Sequence, residues 1–93
     1  MRINAKYIRG EYKLSRKKYV EGQEALVLVN SAGEQVRASI ALPAVIPEPG
    51  HVFIKSYSEN EGLVEELVRN GIVEIVRIMP CGFTQAHYCK VLI

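Results

Sequence analysis

The chain contains no tryptophan and only two phenylalanines, so large aromatic anchors are scarce. No stretch approaches the 18 or so consecutive apolar residues of a spanning helix, which argues against a membrane protein of that kind. The opening "MRINAKYIRGEYK" carries basic residues with no apolar run behind them, so a secretory leader is not expected. Two cysteines, Cys81 and Cys89, are too few for the disulfide framework of a small secreted scaffold. Together these absences predict a soluble, cytoplasmic protein. A phosphate loop, a dinucleotide fingerprint and a nucleophile elbow are also missing, so nothing points to the enzyme classes that depend on them.

What is present is a globular composition. Of 93 residues 48% are apolar and 24% charged, close to the averages of folded domains. That length suits one domain, residues 1–93, with a limited core of about 60–65% of the unfolded surface. The net charge of +2 hides an asymmetry. Residues 1–20 hold seven basic groups (Arg2, Lys6, Arg9, Lys13, Arg16, Lys17 and Lys18) against Glu11, a balance of +6, while residues 21–93 hold five basic groups and nine acids, a balance of −4. The domain is thus read as a basic N-terminal segment, 1–20, ahead of a core, 21–93. A field of that shape steers association with a charged partner.

Along the chain, residues 1–20 read as extended, with Gly10 at a turn or bulge. "EALVLVN" is an apolar run of strand length ending at the turn "NSAGE". In "QVRASIAL" Val36, Ala38, Ile40 and Leu42 alternate with Gln35, Arg37, Ser39 and Ala41, the period of a half-buried strand. The two runs predict a β-hairpin. "PAVIPEPG" holds three of the four prolines and reads as a connection, since proline cannot donate to a ladder. "HVFIK" follows as a short strand.

"SYSENEGLVEELVRNG" crowds Glu59, Glu61, Glu65 and Glu66 together. Ser58 and Glu61 have the spacing of a capping box, Leu63, Val64, Leu67 and Val68 form a helical stripe, and Asn70-Gly71 supplies a left-handed stop. The acids fall where the helix dipole favours negative charge. A helix over about 59–70 therefore explains them, with an acidic docking face through Glu59, Glu65 and Glu66 as the functional alternative. "GIVEIVRIM" is apolar on both faces and predicts a central strand. "PCGF" is a turn, and "TQAHYCKVLI" a last strand. The expected fold is α+β: a small two-layer domain, mainly an antiparallel sheet of 4–6 strands with one helix packed on it.

Two constellations carry chemistry. Cys81, His87 and Cys89 are candidate metal ligands, and His87 and Cys89 share a face if their segment is a strand. Zinc wants four ligands, however, and the spacing matches no common zinc pattern. Buried free thiols are the simpler reading, and neither a metal nor a cofactor is expected. Catalysis by a cysteine–histidine pair would need a thiolate beside a positive charge, which nothing here singles out. A lone His51 after Pro49-Gly50 reads as structural. The second constellation is "AKYIRGEYKLSRKKY", in which tyrosines interleave with cations. Arg9, Tyr12, Lys13, Arg16, Lys17, Lys18 and Tyr19 are candidates to contact a partner. Phosphates would attract the cations and bases stack on exposed tyrosines, but no nucleic-acid motif is present. A basic face for an acidic protein fits the same residues.

Phe53 to Val73, "FIKSYSENEGLVEELVRNGIV", resembles a segment in a family of small uncharacterised proteins encoded in bacterial chromosomes, plasmids and phages. In that pattern "YSENEG" opens a helix after a strand ending in lysine, and a "P-x-GF" turn, here "PCGF" at 80–83, precedes a final strand. "ALVLVN" and "IALP" fit as well, so the likeness covers roughly residues 25–91 and leaves out the basic segment. An acid often stands where this chain has Ser56. The resemblance implies a setting of phages and mobile elements and no activity. The expectation is a non-enzymatic binding protein, an inhibitor or accessory factor acting on a protein partner, with nucleic-acid binding through residues 2–19 as the alternative. A small sheet with open edges also predicts pairing into a twofold homodimer.

Overall fold

The computed structural model describes residues 1–18, 23–42 and 45–93, and of residue 81 the backbone. Among them are nine strands in three antiparallel sheets and one α-helix, an α+β fold. β1 (Arg2–Asn4) and β2 (Arg9–Glu11) form a two-stranded ribbon. β3 (Lys13–Lys18), β4 (Glu24–Val29) and β5 (Gln35–Arg37) form the second sheet in that order. β6 (Ser39–Ile40), β7 (His51–Lys55), β8 (Val73–Cys81) and β9 (Thr84–Val91) form the third, in the order β6-β7-β9-β8.

The run 35–42 does not make one strand. It breaks at Ala38, which passes the chain from one sheet to the other. Ala38 donates its N–H to the carbonyl of Leu26 at 2.9 Å and accepts from the N–H of Lys55 at 2.8 Å. Ser39 is buried beside it, and its Oγ accepts the N–H of Leu26 at 2.9 Å. Asn60, 2% exposed, reinforces the junction by donating Nδ2 to the carbonyls of Arg37 (2.9 Å) and Lys55 (3.3 Å). The expected single apolar face is divided accordingly. Val36 and Ala38 join the main core, whereas Ile40 and Leu42 join a smaller cluster with Phe53, Ala86 and Tyr88 on the other face of the third sheet.

The main core lies between the sheets and α1 (Leu63–Arg69). Leu63, Val64 and Leu67 of α1 are fully buried against a core that includes Ile3, Leu26, Leu28, Val52 and Ile54, while Val68 is 41% exposed. The helix stops where Asn70-Gly71 predicts. Gly71 has φ +71°, its N–H bonds to the Val68 carbonyl at 3.0 Å, and the Ile72 N–H reaches the Leu67 carbonyl at 2.9 Å. Those two bonds are the Schellman pattern.

The helix start is different from the expected capping box. Ser58 sits in a single 3-10 turn, Ser58–Asn60, and α1 begins five residues after it at Leu63, following Gly62 at φ +85°. No side chain of the residue at the cap position bonds the first turn. Instead Ser56, from the end of β7, reaches over and accepts the N–H of Val64 at 3.0 Å. Glu61 turns away to pair with Lys6 at 3.4 Å. A second correction concerns β8, which is an edge strand and not central. Ile75, Val76 and Ile78 stand 41–51% exposed on it.

Candidate functional site: a basic face on β3

β3 is the outer strand of its sheet and carries four of the chain's cations in six residues. Its register against β4 sets Lys17 opposite Ala25, Ser15 opposite Val27 and Lys13 opposite Val29. β5 continues these rows, with Arg37 opposite Val27 and Gln35 opposite Val29. The result is a floor of small apolar residues walled by long polar ones. Ala25 and Val27 are only 4% and 8% exposed there, as expected where lysine and arginine stems lie along an apolar floor. Lys17, Lys18, Gln35 and Arg37 border a hollow of 340 Å³ over that floor. Around the strand edge, Lys17 and Lys18 also border a larger groove of 730 Å³ whose far wall is Ile46 to His51. Lys17 and Lys18 thus form the corner shared by both depressions.

Two of the other candidate cations, Arg9 and Arg16, are committed within the molecule. Arg16 pairs with Glu24 and donates Nη1 to the carbonyl of Ile93 at 2.6 Å, tying the last residue to β3. Arg9 donates Nε to the Ala5 carbonyl at 3.2 Å. Lys13, Lys17 and Lys18 have no ion pair or hydrogen bond among the described residues. Tyr12 is half-buried against the main core and so presents no free ring. Tyr19 lies outside the described residues.

Two of the acids named as a docking face are likewise occupied. Glu59 accepts from Lys55 Nζ at 2.5 Å, and that bond brings its carboxyl down to about 2. Glu66 accepts from Arg69 at 2.8 Å and from the backbone N–H of Asn4 at 2.8 Å, and the same contacts hold it below the usual carboxylate range. It therefore fastens β1 to α1. Glu65 alone of the three has no partner among the described residues.

The cysteine–histidine constellation is spread out by the hairpin. Cys81 is opposite Thr84, so its backbone lies five residues, about 17 Å, along the hairpin from Cys89. A disulfide needs Cα atoms within about 7 Å. Cys89 is fully buried and its desolvated thiol is pushed up to about 12, so it stays protonated. His87 keeps Nδ1 buried without a hydrogen-bond partner among the described residues. No group of three or more metal-binding side chains occurs among the described residues. His51 stacks on Tyr88 with ring centroids 5.2 Å apart and its Nδ1 lies 3.1 Å from the Pro49 carbonyl, which makes it an anchor of the proline-rich connection.

Sequence reasoning missed the far wall of the groove and the part played by Arg37. Both lie far along the chain from β3, and no local pattern signals the juxtaposition. No protein-family model, curated protein or solved structure matches this chain. No helix is long and apolar enough to cross a membrane among the described residues.

Proposed function

We infer that this chain is a small non-enzymatic binding domain that engages an acidic protein partner through the Lys17–Lys18 corner of β3. The observation that carries the reading is the contrast in pairing on one strand. Arg16 is neutralised internally, whereas Lys13, Lys17 and Lys18 present charge with no partner among the described residues. The apolar floor beside them, and Ile46 at 82% exposure across the groove, would give a protein surface apolar contact as well as charge. The likeness of Phe53–Val73 to proteins of phages and plasmids supports an inhibitor or accessory factor of a mobile element as the biological setting.

Nucleic-acid binding uses the same cations but also needs stacking rings. Of the tyrosines near β3, Tyr12 is packed on the core, which favours the protein partner. The test is fluorescence anisotropy of labelled single- and double-stranded DNA and RNA from low to moderate salt. No binding at low salt is expected. Micromolar binding with a steep salt slope would place the cations on phosphates and move the function to nucleic acid.

A further inference from the structure

The far half of the β8–β9 hairpin stands clear of the core. Val76 and Ile78 are half exposed and Phe83 at the turn is wholly exposed. β8 is also the edge of its sheet, nine residues long. A long edge with apolar side chains is a template for another strand.

We propose that this edge pairs with the same edge of a second copy, antiparallel, about a twofold axis between Ile75 and Val76. The axis must stand perpendicular to the sheet, so each face continues from one copy into the other. Residues brought opposite one another must then share a face. Residues three apart in a regular strand lie on opposite faces and fail that condition. β8 is not regular: a bulge between Ile75 and Arg77 inserts Val76 as an extra residue. It puts Glu74 and Arg77 on one face, opposite Lys90 and Tyr88, and Val73 and Ile78 on the other, opposite Val91 and His87. The bulge therefore permits the one register in which Glu74 meets the second copy's Arg77 twice over, with Val73 beside the second copy's Ile78.

Two further observations favour that register. Glu74 and Arg77 have no ion-pair partner within the chain among the described residues, although Glu74 stands opposite Lys90. Arg77 lies over the Tyr88 ring at 4.8 Å, held on the face where the second copy's Glu74 would arrive. The usable edge is limited to residues 73–79. Pro80 lacks an N–H and ends it on one side, while the Ile72 N–H is taken by the helix carbonyl of Leu67 on the other. Pairing there would join two four-stranded sheets into one of eight strands.

Sedimentation equilibrium of the full chain over micromolar to submillimolar concentrations tests the proposal. The wild type should dimerise. Glu74→Arg and Arg77→Glu, each alone, turn two opposite-charge pairs into like-charge pairs and should weaken the dimer about tenfold. The combined Glu74→Arg/Arg77→Glu chain should regain wild-type affinity, with circular dichroism showing that all variants keep the fold. A wild type that stays monomeric throughout would overturn the proposal. So would a dimer indifferent to the single reversals, or one that the double reversal leaves weakened. None of these outcomes bears on the β3 face, which belongs to another sheet.

Discussion

At the scale of single residues, identity mattered less than partnership. Arg16 and Lys17 are neighbours of the same charge, yet one closes the chain's last residue onto β3 and the other faces outward. The basic cluster was legible in the sequence as a run of cations. Which of them are free was not, because Glu24 and Ile93 come to Arg16 through tertiary contacts. The acids show the same division. Glu59 and Glu66 titrate below the usual carboxylate range in the folded chain, so on acidification the unfolded chain takes up protons first. Their contribution to stability is complete above the ordinary value of 4.5 and is lost as pH falls, down to about 2 for Glu59. Thermal unfolding followed from neutral pH to pH 2 should show that decline, and Glu66→Gln should flatten it. Asn60 offers a separate test. Asn60→Ala removes the Nδ2 bonds to the carbonyls of Arg37 and Lys55 at a part-buried junction and should cost about 1–3 kcal/mol in urea unfolding.

At the scale of elements, the stop of α1 was legible and its start was not. Asn-Gly after an apolar stripe determines a local ending, and the Schellman bonds form within a few residues. The start depends on Ser56, a residue of the preceding strand end, and on Gly62 holding a left-handed conformation. A spacing rule for Ser58 could not anticipate either. Ser56→Ala should therefore destabilise the fold by about 0.5–2 kcal/mol, the usual value of a lost cap. Ser58→Ala should change it by less than about 0.5 kcal/mol. Chemical denaturation of the two variants side by side distinguishes the cap from the box. A carboxylate at position 56 would accept the same Val64 N–H. The β4–β5 hairpin was legible because its turn chemistry is local. β8 was misread because an apolar pattern on both faces looks alike in a buried strand and in one whose edge and hairpin tip stand open.

At the scale of the molecule, three sheets and one helix share a core in which Leu26, Leu28, Leu63 and Leu67 are fully buried. Leu67→Ala should cost about 2–5 kcal/mol, enough to threaten a domain of this length. Lys17→Glu/Lys18→Glu should leave the unfolding midpoint nearly unchanged, because neither side chain has an internal partner among the described residues. That difference makes the pair a clean probe of function. The decisive measurement is affinity capture from nuclease-treated bacterial lysate with the wild type and with that double variant. The account predicts a discrete protein that the wild type retains after nuclease treatment and the double variant does not. Capture that nuclease abolishes, or that survives the two charge reversals, would contradict it.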